Sequence, residues 1–288
     1  MHCVELPRTR DYAKVGGAYS RDSVGSHFLP AIASQLPELS FGTVAYTKVA
    51  NVLQVQITDG EPDPRVKGQF EEWKECLQRN ITLYQMDAKG LWANLWKGVK
   101  LCEKLPFMND LKIENFNNGD ETKRHIPSLQ KDPSVIVTLG IGHDTAAEEA
   151  LLKVLPAGSK FYGADPMHEV NEMLYTKFGY YFPFAVGGSS KVSTASVLIN
   201  KGAEYEMFPY FYRGGKLDQS GLTLCQFNME VHYPDDAKKK MFHAFIFEIL
   251  RGNRYAFFRP VQGAHMRLYF LNFSDKHCVS KYIFRKTK

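Results

Sequence analysis

The segment "LCQFNMEVHYP", Leu224 to Pro234, holds the densest set of reactive side chains in the sequence. Read as a strand, it alternates. Gln226, Asn228, Glu230 and His232 fall on one face, opposite Cys225, Phe227, Met229 and Val231. A carboxylate and an imidazole two positions apart can orient a substrate and accept its proton, so Glu230 reads as a positioning carboxylate and His232 as a base. Four polar side chains on one face of a central strand imply a site or a water-filled cleft; a satisfied polar network or a solvated edge is the alternative. The same pair suits a metal, with His143 or His168 as further ligands. The Glu-x-His spacing is loose, however, and no metal is expected.

A second constellation lies in "SVIVTLGIGHDTAAEEALLKVLP", Ser134 to Pro156. An apolar run ends in a Gly-x-Gly turn, and a Glu- and Leu-rich helix follows. Gly140 and Gly142 let the backbone approach a ligand, and the helix start aims N–H groups at it. His143 and Asp144 stand in the same turn. Thr145 occupies the place of the third glycine of a dinucleotide fingerprint. Asp165, at the end of the next expected strand, can accept hydrogen bonds from both ribose hydroxyls, or it can cap a helix ahead of Pro166. Together these features predict a nucleoside-binding half. A pyrophosphate prefers the full three-glycine turn, which disfavours a nicotinamide-dependent oxidoreductase. The carboxylate and amine of S-adenosylmethionine tolerate a looser turn.

The elements that must position these residues follow from periodicity. Apolar residues at helical spacing predict two helices, one over "FEEWKECLQ" and one carrying Leu91, Leu95 and Val99. Trp92 and Trp96, one turn apart, read as a packed face. Val135–Leu139, "KFYGADP" and "YYFPFAVGG" read as strands, alternating with helices over Thr145–Leu155 and "MHEVNEMLYTKFG". That order predicts an α/β fold with a doubly wound, mostly parallel, Rossmann-like sheet. A helix over "DDAKKKMFHAFIFEILRGN" and an antiparallel hairpin over "RYAFFRPVQGAHMRLYFLNF" close the chain. The sequence divides into an N-terminal segment, 1–65, of unassigned role, a helical lead-in, 66–130, and a main domain, 131–288.

"VTLGIGHD", "FYGADP", "FPFAVGG", "GAEYEMFPYF" and "LCQFNMEVHYP", in this order, resemble the FkbM-type methyltransferase domain, in particular a divergent animal branch of it. The resemblance is loose over 66–288 and clearest over 131–235. It implies a class I methyltransferase-like sheet, S-adenosylmethionine as cofactor, and methyl transfer to an oxygen. By resemblance Gly140 and Gly142 hold the methionine part of the cofactor, and Asp165 its ribose; His143 and Asp144, in the same turn, are further candidate cofactor-binding residues. The family's fourth strand ends in a motif like Asp-x-Glu-Gly-x-Glu. Here Gly202, Ala203 and Glu204 match the end of that motif, whereas Lys201 and Asn200 or Ile199 stand where acids belong. "ASVLIN", at 195–200, is apolar enough to fill the vacancy but lies too close to the third strand for a parallel crossover. The alternative is therefore a catalytically inactive, methyltransferase-like binding protein or an incomplete isoform.

The 288 residues are 44% hydrophobic and 23% charged, with a net charge of +5, which marks a globular chain. The cations are scattered, apart from Lys238–Lys240 and the "FRKTK" tail, so no nucleic-acid partner is expected. No Ser-His-Asp elbow, Walker lysine or CxxC pair is present. Among five cysteines, Cys76 and Cys102 flank a helical stretch and can pair in an oxidising compartment. Asn80-Ile-Thr82 and Asn272-Phe-Ser274 fit a secretory location. The N-terminus has no apolar h-region, and no run of apolar residues is long enough to span a bilayer. Read literally, the chain is cytoplasmic. Its small-molecule partner is the cofactor, and no methyl acceptor can be named.

Overall fold

The structure, a computed structural model, describes residues 2–6, 61–186, 204–232 and 234–285. The possible replacement strand at 195–200, the residues at 199–203 and most of the 1–65 segment lie outside this set. The elements are β1 (His2–Leu6), α1 (Lys67–Ile81), α2 (Ala88–Cys102), β2 (Glu114–Asn117), β3 (Thr122–His125), β4 (Val135–Leu139), α3 (Ala146–Leu152), β5 (Lys160–Ala164), α4 (His168–Tyr175), β6 (Tyr180–Phe182), β7 (Gln226–His232), α5 (Asp236–Arg251), β8 (Tyr255–Gln262) and β9 (His265–Asn272).

Seven strands form one sheet in the order β6-β5-β4-β1-β7-β9-β8, and β2 pairs with β3 in a separate hairpin. Among the described residues, only β4-β5 and β5-β6 pair in parallel. The ladders β1-β4, β1-β7, β7-β9 and β8-β9 are all antiparallel. This corrects the expectation of a doubly wound, mostly parallel, Rossmann-like sheet. The parallel part is a three-stranded block, and antiparallel pairing builds the rest. The physical reason lies between β4 and β7. The place where a parallel fourth strand was expected is taken by β1, with Val4 opposite both Val137 and Phe227. A strand entering from the N-terminal side can pair antiparallel without a helical crossover.

Apolar spacing explains the helices that cover the sheet. Phe70, Trp73, Leu77 and Ile81 recur on one stripe of α1 and are fully buried. Trp73 meets Phe257 of β8 edge-on at 5.2 Å. Asp87 caps α2 through Gly90 N at 2.9 Å, and Asp235 caps α5 through Lys238 N at 2.8 Å. Trp92 packs edge-on against Phe242 of α5, whereas Trp96 lies on the partly exposed flank under Lys97 and Lys100. Across the β7-β9 ladder, Phe227 stacks on Phe270 at 4.5 Å. In β5, a side chain at Gly163 would collide with the Tyr175 ring at 2.7 Å, so glycine lets α4 lie close to the sheet.

Two disulfides staple the layers. Cys76–Cys102 joins α1 to α2, and Cys225–Cys278 ties the residue before β7 to the short helix Lys276–Cys278. The sequence reading reached the first pair and missed the second. Both sequon asparagines have structural jobs. Asn80 donates to Cys76 O, and buried Asn272 accepts from Ser274 N and Asp275 N.

His125, buried on β3, meets Phe116 and Tyr282 edge-on. Burial, with Lys281 nearby, pushes its imidazole down to about 3. The unfolded chain takes up this proton near the ordinary value of about 6.5, while the native protein does not. Stability is therefore greatest above that pH and falls as pH drops towards about 3. In chemical unfolding at pH 4 and pH 7, His125→Phe is expected to narrow the difference between the two conditions. Removing the second bridge with Cys225→Ser and Cys278→Ser is expected to cost about 2–4 kcal/mol, read by denaturant titration.

Candidate functional site

The three-stranded block ends in the turn that the sequence singled out. Gly140 and Gly142 have φ of 81° and 69°, and His143, at 65°, shares the left-handed region that L-residues avoid. Two glycines and one strained histidine thus reverse the chain within four positions. Asp165, at the end of β5, reaches back into this turn. Its Oδ2 accepts from Ile141 N at 2.8 Å and from Gly142 N at 3.4 Å, and its Oδ1 accepts from Met167 N at 2.8 Å. Asn171 of α4 holds the other side of the turn, accepting from His143 N at 2.9 Å.

The start of α3 is closed from within the chain. Asp144 accepts from Ala146 N and Gly119 N, which hold its carboxyl below the usual range, and Asn118 accepts from Ala147 N. The turn of the β2-β3 hairpin therefore sits where free helix N–H groups were expected. Asp144 is placed as a cap and hairpin anchor. A group of ligand-like chemistry still has features to meet. A side chain at Gly142 would find nothing within 4 Å, so the turn presents open space there. The Nδ2 of Asn171 is buried without a hydrogen-bond partner among the described residues. Of the four lone-pair positions of the Asp165 carboxylate, three face backbone N–H groups, which leaves one for a hydroxyl. The turn therefore offers open space at Gly142, one lone pair of Asp165 and the amide of Asn171, and no row of free N–H donors at the start of α3.

On β7 the four polar side chains separate into two pairs. Gln226 accepts from Ile126 N and donates to Ile126 O, and Asn228 does the same with Arg124. Two side-chain amides thus imitate a neighbouring strand and hold the hairpin over the sheet. For this pair, the polar-network alternative is the observed one. Glu230 and His232, nearer the strand end, form a different cluster. His232 Nδ1 lies 3.1 Å from Glu204 Oε1, which also accepts from His232 N. His232 Nε2 faces Glu230 Oε1 at 3.6 Å, and Arg267 Nη2 contacts the same oxygen at 2.9 Å. Burial would raise the Glu204 carboxyl, but the hydrogen bonds it accepts hold it below the ordinary value.

His265, opposite His232 on β9, completes the cluster. One ligand atom each from Glu230, His232 and His265 lies within 4.8 Å of the others. Neither His143 nor His168 joins this group. The sequence reading missed His265 and Arg267, although their alternation along "HMRLYF" puts both on one face of the hairpin strand. A shallow cleft, open to solvent, borders Glu230 and is lined also by Arg124, Asn228, Arg259, Arg267 and Tyr269. Burial, helped by Glu230, raises the Glu121 carboxyl at its edge against the pull of Lys123.

The cluster and the glycine turn share one end of the sheet. Strand β1 is antiparallel to both β4 and β7, so those two run the same way, and Gly140 and His232 follow or close them at the same end. One strand intervenes, so the axes of β4 and β7 lie about 10 Å apart, and His232 stands further along its strand than Gly140 does.

No family model matches the chain, and no solved structure matches it. An uncharacterised protein of Caenorhabditis elegans is 22% identical over 237 residues, covering 75% of this chain and 80% of the relative. Among the described residues, no helix is long and apolar enough to cross a membrane.

The division along β7 is testable by stability. Gln226→Ala or Asn228→Ala leaves hairpin N–H and C=O groups unpaired, at a cost of roughly 1–3 kcal/mol for each buried group. His232→Gln, in the partly exposed cluster, is expected to change stability by less than about 1 kcal/mol, measured by the same denaturant titration.

Proposed function

We propose that this chain is an S-adenosylmethionine-dependent methyltransferase acting on an acceptor oxygen. The observation that carries this reading is the meeting of Asp165 with the Gly140–Asp144 turn, at the sheet end that also bears Glu230 and His232. The ordered motifs that resemble the FkbM-type domain support the same reading. The turn would hold the methionine part of the cofactor, and Asp165 a ribose hydroxyl. S-adenosylmethionine supplies an electrophilic methyl group when bound.

The remaining work falls to the chain. An in-line displacement depends chiefly on positioning. Glu204 fixes the His232 imidazole, and Arg267 fixes the Glu230 carboxylate, so both groups are rigid before an acceptor arrives. The acceptor oxygen is placed over this pair. Arg124, Arg259 and Arg267 line the adjoining cleft and favour an acceptor with negative or strongly polar groups.

Two observations favour a second reading, a descendant that no longer catalyses. The N–H groups of Ile141, His143, Ala146 and Ala147 already have partners within the chain, and the acids expected on a fourth strand are replaced in the sequence. The two disulfides support folding in an oxidising compartment rather than the cytoplasm.

The test is a calorimetric titration of the folded chain with S-adenosylmethionine, with a nicotinamide dinucleotide as the control ligand. The expected result is micromolar binding of the first and none of the second. Asp165→Asn removes a charge-assisted hydrogen bond and is expected to weaken binding by about tenfold to a hundredfold. Absence of binding by the folded wild-type chain would sink the proposal. Binding without turnover across an acceptor screen would favour the second reading.

A further inference from the structure

The end of β7 is built for more than hydrogen bonding. Glu230 and His232 stand on one face of that strand, and His265 stands directly opposite His232 on β9. Two imidazoles and one carboxylate, with ligand atoms within 4.8 Å of one another, make up the protein donor set of an open, hydrolase-type zinc centre. The spacing has a direct physical reading. A tetrahedral ion with Zn–N and Zn–O bonds of about 2.0–2.2 Å holds its ligand atoms about 3.4 Å apart. His232 Nε2 and Glu230 Oε1 are 3.6 Å apart. That is too long for a direct hydrogen bond but close to the edge of such a tetrahedron.

The outer contacts point the same way. Glu204 Oε1 lies 3.1 Å from His232 Nδ1, which leaves Nε2 as the ring nitrogen that faces Glu230. A carboxylate behind a ligating histidine orients the ring and makes it a stronger donor. Arg267 contacts Glu230 Oε1 at 2.9 Å, so a bound cation would share that carboxylate with the guanidinium. The guanidinium is also a competing charge, which sets a limit on affinity that substitution can lift.

We infer that Glu230, His232 and His265 bind a divalent transition-metal ion, zinc by its preference for this mixed nitrogen and oxygen set, with a fourth position open to an oxygen of the acceptor. The metal site stands on its own geometry, while its role towards an acceptor rests on the methyltransferase reading. A cation there would draw the acceptor hydroxyl to the sheet end that carries the glycine turn and would lower its pKa. His232 then serves as a ligand, and the Lewis acid takes over the base role expected from the sequence.

The test uses the full chain, stripped with a chelator and titrated with zinc against a chromophoric competitor. Cobalt is then added to read the absorption of a four-coordinate site. The expected result is one ion per chain. His265→Ala is expected to weaken binding by about a hundredfold or more, and Glu204→Gln by about tenfold to a hundredfold. Arg267→Met, which removes the competing charge, is expected to tighten binding. His168→Ala, remote from the cluster, should leave it unchanged. Circular dichroism checks that each variant is folded. No stoichiometric binding by the folded chain would overturn the inference, as would binding indifferent to His265→Ala and Arg267→Met. A parallel titration with S-adenosylmethionine separates the two proposals: zinc binding alone keeps the metal site and removes the methyltransferase reading, and cofactor binding alone does the reverse.

Discussion

The pairing of β1 between β4 and β7 is the constraint on which the rest of the sheet depends. Each flanking strand offers a row of N–H and C=O groups to the space between them. Buried groups of this kind must be paired, because an unpaired one costs about 1–3 kcal/mol. The strand His2–Leu6 meets that demand on both sides, pairing Val4–Leu6 with β4 and His2 and Val4 with β7. It does so antiparallel, which separates the parallel block from the antiparallel half. The strand also brings the ends of β4 and β7 into one neighbourhood, so the glycine turn and the Glu230 cluster owe their common location to it.

The β2-β3 hairpin exerts a second control. It lies across the polar face of β7 and is held there by the amides of Gln226 and Asn228. Its turn reaches the start of α3 through Asn118 and Gly119. Buried Lys123 bonds Glu148 of α3 at 2.6 Å, Glu148 accepts from Thr138 of β4, and Tyr175 donates to Thr138. Buried charge is costly unless it is paired and hydrogen-bonded, and here each group is both. The consequence for function is a narrowing. Half of the polar face of β7 becomes structural, and the helix start that would face a ligand is capped. Chemistry is left to the turn at Gly142 and to the last two polar positions of β7.

Around that remaining site the electrostatics are mixed. Arg124, Arg259 and Arg267 share a cleft with Glu121 and Glu230. Arg259 has a φ of 53° at the irregular point of the β8-β9 ladder, which swings its side chain out of the regular strand alternation towards Glu103. Fixed carboxylates on both sides of His232, and a guanidinium on one of them, give the cluster a defined geometry without filling it with apolar atoms.

The elements themselves were legible in the sequence because their causes are local. The strand at 135–139, the positive-φ glycines after it, the helix carrying Trp73's neighbours and the alternation along β7 all follow from residue type and period. Asp165 was picked out by its place after a strand, and it does reach the turn. Tertiary structure decided the partners. That Asp165 clasps backbone N–H groups, that Gln226 and Asn228 serve a hairpin while Glu230 and His232 do not, and that His265 is the third member of the cluster depend on which strands lie side by side. Parallel pairing was inferred from the order of elements, yet sheet direction is settled by whichever segment fills an open edge, and an N-terminal strand far from β4 and β7 in sequence filled it. Periodicity reports which face of a residue's own element it occupies; only the packed sheet determines what that face meets.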